Sequence, residues 1–208
     1  KTRVGCYGDI MQSNSIGIKH GKLNSTTSFN VKHTDGWRNS NKEWYHYDLM
    51  DGSVSKTVSR STNYTIAENL AYKASNRLSL TADVSFYRKW IKRPFGPYQY
   101  NRYDYQYLNQ SYAAGAKYQL GEKDYLTFDV SYDHYNYYFD YTQIETTDDF
   151  DESIPPKRLT YYPGMSILQT SQRKFLTLAK GVFHLGEQHI LNAGVEYMWD
   201  KLIAPSRM

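Results

Sequence analysis

The sequence predicts an all-β protein built from antiparallel strands that run up and down. Apolar and polar residues alternate along several segments, as in strands with two different faces, and helical periodicity is almost absent. Tyrosine accounts for 22 of the 208 residues, and aromatic residues favour strands over helices. Tight turns also alternate with long polar connections. Together these observations indicate a series of β-hairpins.

Eight segments carry the alternation. In chain order they are residues 13–20, 23–31, 62–73, 77–87, 112–120, 125–133, 174–185 and 189–200. In the clearest segment, 77–87, the apolar side chains of one face are Leu78, Leu80, Ala82, Val84 and Phe86. Segments 13–20, 62–73 and 174–185 are less regular, and Glu68, Lys180 and His184 interrupt the last two. We therefore expect about eight strands.

The connections between these strands are of two alternating kinds. Tight turns close the hairpins at Gly21, Ser75, Glu122 and Glu187. Long polar connections cover about residues 34–60, 90–107 and 141–173. Soluble sandwiches usually have short connections at both ends, whereas transmembrane β-barrels combine short turns at one end with long loops at the other. We therefore expect segments 35–47, 93–104 and 148–157 to lie at one end of the sheet, opposite the turns.

The polarity of the strands favours a membrane environment. The faces expected to point inward carry Asp83, Lys117, Asp129, Asp133, Asn192 and Glu196. Unless they pair, these are too many charged groups for a packed interior, but they suit a wet or plugged lumen. Aromatic residues gather near the loop ends of the strands, where an interfacial girdle belongs: Tyr87, Trp90, Tyr105, Tyr107, Tyr135, Tyr137, Tyr138, Phe139, Tyr197 and Trp199. The predicted fold is an antiparallel up-and-down transmembrane β-barrel; a soluble Tyr-rich β-sandwich binding module is an alternative.

Two segments resemble a known family. Residues 34–40, Thr-Asp-Gly-Trp-Arg-Asn-Ser, are similar to a segment early in the barrel of TonB-dependent outer-membrane receptors. Residues 189–197, His-Ile-Leu-Asn-Ala-Gly-Val-Glu-Tyr, followed by Asp200, Lys201, Leu202 and Arg207, resemble a recurrent strand and loop of the same family. The resemblance implies a receptor in the bacterial outer membrane. Such a receptor imports siderophore-iron, haem or cobalamin with energy passed from the inner membrane by TonB.

The chain departs from this family in what it lacks. It contains neither a TonB box nor the Gly-rich signatures of a plug domain, and about eight strands are a third of the roughly 22 found in outer-membrane transporters. We therefore expect residues 1–208 to be a partial barrel domain, without the plug and the C-terminal strands. Its expected partners are outer-membrane lipid, the nutrient, its own plug domain and TonB. A complete small eight-stranded barrel with an adhesin or structural role is the other alternative.

The candidate ligand-binding residues are in two long connections. Segment 93–103 places arginines and aromatic rings on a backbone restrained by proline, and such a surface can bind a bulky ligand by stacking and cation–π contacts. The predicted ligand-binding residues are Trp44, Arg93, Tyr98, Arg102 and Tyr103. A lipopolysaccharide-facing loop with ordinary interfacial aromatic residues is the alternative. If the parent protein takes up haem, His46 would be the best axial ligand, because aromatic residues surround it.

A possible calcium site lies in the third connection. Asp148, Asp149, Asp151 and Glu152 place four carboxylates in five residues, a ligand set that calcium prefers, and cobalamin receptors of the resembled family use loop calcium. The spacing matches no fixed calcium motif, so a solvated acidic loop is the alternative. No other cofactor is expected.

Neither catalysis nor nucleic-acid binding is predicted. The chain has no phosphate-binding glycine loop and no nucleophile motif, and its six histidines lack the close spacing of metal ligands. Its single cysteine, Cys6, excludes an internal disulfide framework. The net charge of +4 comes from interspersed residues and forms no basic stripe.

Overall fold

The computed structural model describes residues 1–36, 46–47, 54–55, 60–92, 103–142, 145–148, 158–186 and 188–204. The strands of these ranges are β1 (Thr2–Val4), β2 (Ile10–His20), β3 (Leu23–Thr34), β4 (His46–Tyr47), β5 (Val54–Ser55), β6 (Ser61–Lys73), β7 (Leu78–Ile91), β8 (Tyr103–Gln119), β9 (Tyr125–Tyr141), β10 (Glu145–Asp148), β11 (Arg158–Tyr161), β12 (Ser166–Leu185) and β13 (His189–Ile203). The described ranges contain no helix long and apolar enough to span a bilayer.

Nine of these strands form one open antiparallel sheet, in the order β1-β2-β3-β6-β7-β8-β9-β12-β13. The pairs β4–β5 and β10–β11 form separate two-stranded ladders. All eight predicted strands are present in the large sheet, as β2, β3, β6, β7, β8, β9, β12 and β13. The ninth, β1, has three residues, too few for an alternating pattern to be recognised. The all-β, up-and-down part of the prediction is confirmed.

The tight turns lie where they were predicted. Gly21 and Gly186 have φ angles of 57° and 74°, a left-handed conformation that glycine adopts without steric cost. Ser75 closes its own turn, because its side-chain oxygen accepts hydrogen bonds from the backbone N–H groups of Arg77 and Leu78 at 3.1 and 3.0 Å. Glu187, the predicted centre of the last turn, lies outside the described residues.

All three long connections leave the sheet at one end, which we call the loop end. There Thr34 pairs with Ser61 and Ser61 pairs with Ile91. On the other side of the sheet, Tyr103 pairs with Tyr141 and Asp140 with Ser166. The tight turns lie at the opposite end, which we call the turn end. The predicted segregation is therefore confirmed for the predicted turns and long connections, whereas the short β1–β2 connection, which was not predicted, also lies at the loop end.

Several strands run further toward the loop end than predicted. The connections predicted at 90–107 and 141–173 include the end of β7, the start of β8 and the first residues of β12. These stretches continue the backbone ladder although the phase of the alternation changes: on β8 the aromatic residues Tyr103, Tyr105 and Tyr107 take odd positions, whereas the apolar positions from Tyr112 to Tyr118 are even. Backbone hydrogen bonding continues through such a change because it does not require one apolar face. A register shift between Leu168 and Thr170 further disturbs the alternation in β12. The prediction of irregular structure there was wrong.

The register assigns every strand residue to one of two faces. The leucine face carries Leu80, Val84, Phe86, Phe128, Val130 and Val195, and the aspartate face carries Asp83, Lys117, Asp129, Asp133, Asn192 and Glu196. Tyr141 and Val182 are the buried hydrophobic residues of the described part, whereas the side chains of Val84, Phe128 and Val195 are 47%, 51% and 69% exposed. The sheet is thus a single layer whose leucine face has no second sheet packed against it in the described ranges.

Candidate ligand-binding surface

The aspartate face changes character about halfway along the strands. From the turn end to the cross-strand row Ser85–Ser111–Asp133–Lys174, its residues are mostly small and polar or charged. We call this the turn-side half. Toward the loop end lies the loop-side half, where the same face carries Tyr87, Tyr105, Tyr107, Tyr135, Tyr137, Phe139 and Tyr141.

Five of these aromatic residues form a connected cluster on β8 and β9. Tyr107 stacks on Tyr137 with ring centres 4.9 Å apart and planes 16° apart, and on Tyr135 at 6.3 Å and 30°. Tyr105 lies 5.6 Å from Tyr137 and 5.8 Å from Phe139. We call these residues, Tyr105, Tyr107, Tyr135, Tyr137 and Phe139, the tyrosine cluster. Its members share one face because they alternate along paired antiparallel strands.

The tyrosine cluster corrects the girdle interpretation made from the sequence. A girdle that contacts lipid must lie on the face that carries the apolar side chains, which is the leucine face. The cluster and Tyr87 lie on the aspartate face. Trp90, Tyr138, Tyr197 and Trp199 do lie on the leucine face. The pooled set was wrong because proximity to a loop end does not specify a face, whereas the odd or even position along a continuous strand does.

Burial makes two phenols of the cluster, those of Tyr107 and Tyr135, weaker acids. Desolvation raises the pKa of Tyr107, and the neighbouring Tyr105 adds to the effect because a phenolate there would meet a second negative charge. Desolvation likewise raises the pKa of Tyr135. These phenols therefore remain neutral hydrogen-bonding groups well above neutral pH.

A polar pocket of about 380 Å³ lies beside the cluster. Its lining residues are Tyr87, Asn109, Asp133, Tyr135, Gln172 and Lys174. Four of them belong to one cross-strand row, in which Tyr87 pairs with Asn109, Asn109 with Tyr135 and Tyr135 with Gln172. The other two, Asp133 and Lys174, pair in the adjacent row. The pocket combines two aromatic rings with amide, carboxylate and ammonium groups.

Hydrogen bonds hold several of these polar groups in place. Ser111 Oγ donates to Asp133 Oδ1 at 2.5 Å, and Asn109 Nδ2 donates to Ser111 Oγ at 3.4 Å. Gln172 Nε2 donates to both carboxylate oxygens of Asp200, at 3.2 and 2.9 Å. These contacts fix the positions of Asn109, Asp133 and Gln172 within the pocket.

The turn-side half of the aspartate face holds the predicted charged residues. Asp83 accepts a hydrogen bond from Asn69, and Lys117 Nζ lies 4.0 Å from the centre of the Tyr125 ring. Asp129 lies beside Gly115, where an added Cβ would be only 2.6 Å from Asp129 Oδ1. The prediction that these charges share one face is confirmed by the register.

The loop-side half of the leucine face is also polar. Arg88 lies 3.9 Å from the ring centre of Trp90, and Trp90 contacts Tyr64 edge-on at 5.7 Å. The guanidinium of Arg88 donates to Gln106 Oε1 from Nε at 3.0 Å and from a terminal nitrogen at 2.5 Å. In the same half lie Gln110, His134, Asn136 and Arg173. The apolar side chains on the turn-side half of the leucine face, which we call the apolar band, therefore end before the strands do.

The Thr34-Asp35-Gly36 motif anchors the loop end of β3. The carboxylate oxygen Oδ1 of Asp35 lies 3.3 Å from His33 Nε2 and 3.3 Å from Arg60 Nε. The backbone N–H of Asp35 donates to the Tyr7 carbonyl at 3.0 Å. The motif therefore ties the start of the first long connection to its end and to the β1–β2 connection, a role that the sequence did not reveal.

Most predicted ligand-binding residues lie outside the described ranges. These are Trp44, Arg93, Tyr98 and Arg102. Tyr103 is the first residue of β8, at the loop end, where its backbone pairs with Tyr141. His46 is in β4, where its backbone pairs with Ser55. The proposed roles of all these residues stay predictions.

Most residues of the possible calcium site also lie outside the described ranges. Asp148 ends β10 and pairs with Arg158, while Asp149, Asp151 and Glu152 lie outside the described residues. The described ranges hold no group of three or more His, Cys, Asp or Glu residues arranged to bind a metal. Calcium binding in the third connection stays a prediction.

The pocket was not predictable from the sequence because its residues are far apart in the chain. Tyr87, Asn109, Tyr135 and Gln172 come from four strands, and only the cross-strand register places them in one row. One signal was present in the sequence, since Tyr135, Tyr137 and Phe139 alternate along β9 and must share a face.

Comparison with known proteins assigns no family. No protein-family model matches this sequence, and no curated protein matches it significantly.

Proposed function

We propose that this chain is part of the wall of a transmembrane β-barrel in the bacterial outer membrane. We further propose that the barrel is a receptor for TonB-dependent uptake of a scarce nutrient: siderophore-iron, haem or cobalamin. The observation that carries the first proposal is the uncovered apolar band on the turn-side half of the leucine face, which runs from β7 to β13 and is interrupted on β6 and β3 by Glu68, Ser25 and Thr27. The resemblance of residues 34–40 and 189–197 to the receptor family supports the second.

The apolar band has the length that a bilayer requires. On β7, apolar residues of the leucine face run from Leu78 to Phe86, where tilted transmembrane strands need about 9–11 residues. Beyond Phe86, the next residue of this face is Arg88. In water, leaving one large apolar side chain uncovered forgoes about 1.5–3 kcal/mol of burial. Lipid contact would recover that free energy without a second protein layer.

The boundary of the band carries aromatic side chains that suit a membrane interface. Tyr64, Trp90 and Tyr138 lie on the leucine face just beyond the band. Tyr and Trp are enriched at this depth because they have an apolar ring and a polar group. The girdle of the proposed barrel therefore consists of these residues rather than the tyrosine cluster.

The aspartate face would then line the lumen. Asp83 and Asp129 would face the plug domain across it, and further strands would complete a barrel of roughly 22, because a sheet within lipid must close to satisfy its edges. Among the described strands, none pairs with the outer edge of β13. In this arrangement the long connections emerge outside the cell, where Trp44, Arg93, Tyr98, Arg102 and Tyr103 would contact the nutrient.

Membrane localisation is tested with the full-length protein expressed in a Gram-negative host. The expected result is recovery in the outer-membrane fraction and slower migration on heating during gel electrophoresis, which reports unfolding of a closed barrel. A soluble monodisperse protein without detergent would contradict the proposal. A complete barrel of only eight strands would instead support the adhesin or structural alternative.

The receptor proposal is tested by binding of iron-siderophore, haem and cobalamin to the same protein. We expect the double variant Arg102→Ala, Tyr103→Ala to bind the nutrient more weakly. The matched control is Lys123→Ala, at the turn end. Unchanged affinity of the double variant would contradict a ligand role for these residues.

A further inference from the structure

We propose that Glu68 is the centre of a docking site for a second membrane protein, one that presents an apolar membrane-spanning segment with a single lysine or arginine. The inference rests on the membrane location proposed above. Glu68 is the residue that interrupts the hydropathy alternation of β6. It pairs with Thr27 of β3 and with Val84 of β7, so its side chain lies on the leucine face.

Two hydroxyl groups hold the carboxylate of Glu68. Ser25 Oγ donates to Oε1 at 2.5 Å, and Thr27 Oγ1 donates to Oε2. We call Ser25, Thr27 and Glu68 the Glu68 patch. The hydrogen bonds fix the position of the carboxylate but leave its charge uncompensated, because Glu68 forms no ion pair with any of the described residues.

The depth of the Glu68 patch excludes contact with a lipid headgroup. Glu68 lies five residues before Lys73, the last residue of β6 at the turn end. A tilted strand crosses the bilayer in about 9–11 residues, so the carboxylate faces the middle of the hydrocarbon layer. A charge at that depth is unfavourable unless a partner compensates it, because hydrocarbon does not solvate it.

Exposed apolar side chains surround the Glu68 patch on three strands. They have 37–65% of their surface exposed and are Ile16, Ile18, Ile66, Leu70 and Val84. A polar group within an apolar ring that excludes water is typical of the energetic centre of a protein–protein interface. The ring therefore indicates an apolar partner surface, and the carboxylate indicates a polar group within that surface.

Charge complementarity identifies the polar group of the partner. A carboxylate only accepts hydrogen bonds, and it has lone-pair positions beyond those that the two hydroxyl groups use. A neutral donor would leave the negative charge uncompensated in hydrocarbon. A lysine or arginine would neutralise the charge and donate a charge-assisted hydrogen bond at the same time.

A second copy of this chain does not offer that cation at the same depth. Copies inserted in the same direction place their turn-side halves at one level. Among the described strand residues of that half, the leucine face carries no lysine or arginine. A two-fold contact through the Glu68 patch would instead bring two carboxylates together. The partner is therefore a different protein.

The test uses the full-length protein in phosphatidylcholine vesicles and two fluorescent peptides. Both peptides are leucine–alanine helices of about 20 residues, the length that spans a bilayer. One has a lysine at its centre, and the other has norleucine, an uncharged side chain of similar length. Association is measured by energy transfer from the peptide to an acceptor on the protein. We expect the lysine peptide to bind at least about tenfold more tightly, which corresponds to about 1.4 kcal/mol.

We expect Glu68→Gln, which keeps the shape of the side chain and removes its charge, to abolish this preference. The matched control is Glu196→Gln on the aspartate face of β13, which should retain it. Equal binding of the two peptides by the wild type, or binding of neither, would overturn the inference. An undiminished preference in Glu68→Gln would also overturn it.

Heat-dependent migration of the same samples during electrophoresis tests the barrel separately. A protein that migrates as a closed barrel but does not prefer the lysine peptide would overturn this inference alone. Failure to form a barrel in lipid would overturn the membrane proposal and, with it, the docking site.

Discussion

The turn-side and loop-side halves of the sheet have opposite distributions of polarity. In the turn-side half, the leucine face carries Val84 and Val130 while the aspartate face carries Asp83 and Asp129. In the loop-side half, polar residues occupy the leucine face, and the tyrosine cluster occupies the aspartate face. The strands continue unbroken through this exchange.

The difference teaches that strand pairing and face polarity have separate causes. Backbone hydrogen bonds extend the ladder wherever two strands remain in register. Side-chain polarity instead reflects what each face contacts at a given position between the turn end and the loop end. The exchange therefore marks a change of environment along the strands, and the proposal places the edge of the bilayer there.

The largest expected effect comes from placing a charge within the apolar band. Val130→Arg on β9 should destabilise the protein in lipid by about 2–4 kcal/mol, because an arginine would face hydrocarbon near the middle of the bilayer. Asn136→Arg, six residues further along the same face of β9, should have little effect. The measurement is urea unfolding in lipid vesicles. Equal losses in the free energy of unfolding for the two variants would contradict the distinction between the halves.

A smaller effect is expected from adding a methyl group to the leucine face of the turn-side half. A Cβ at Gly181 would be 2.5 Å from Phe183 Cε2 and 3.2 Å from Leu126 Cδ2, so Gly181→Ala should cost about 1 kcal/mol by overpacking. Gly17→Ala is the matched control, because its nearest neighbour would be 3.9 Å away. A shift in the unfolding midpoint should appear in the first variant alone.

In the loop-side half, Tyr107 should titrate late. Its raised folded pKa means that its contribution to stability is present below the unfolded pKa of about 10 and is lost as pH rises through the folded pKa. Absorbance titration of Tyr107→Phe should show one fewer phenol with a raised pKa than titration of the wild type. The matched control is Tyr162→Phe, at an exposed position outside the sheet. Identical curves for the two variants would contradict burial as the cause.

The smallest effect is expected at the turn end. The backbone N–H of His184 donates to Asp124 Oδ1 at 2.7 Å, its ring Nδ1 lies at 2.9 Å, and these contacts lower the pKa of Asp124. A lowered folded pKa contributes stability above the unfolded value of about 4, and that contribution is lost as pH falls through the folded pKa. Asp124→Asn should therefore be slightly less stable than the wild type at pH 7 and equal to it near pH 2. The measurement is urea unfolding of both proteins at the two pH values, and an equal difference in stability at pH 7 and pH 2 would contradict the role of the Asp124 carboxylate.

Much of the architecture was predictable because strand alternation and turn chemistry act locally. Leu78 to Phe86 alternate along one strand, and Gly21 marks a turn by its own conformational freedom, so neither depends on distant residues. The extra length of β8 and β12 was not predictable, since the alternation changes phase within β8, between Tyr107 and Tyr112, and is absent from the loop-side residues of β12. Of the candidate sites, the sequence identified only groups of neighbouring residues, such as Arg102 and Tyr103.

The sequence by itself determined the number and direction of the main strands, and which residues of each strand share a face. Only the tertiary structure decided which strand residues stand opposite one another. That choice brought Tyr87, Asn109, Tyr135 and Gln172 into one row. The physical reason is that alternation is a property of one strand, whereas register is a property of two, and a shift of one residue would move a whole set of side chains to the other face.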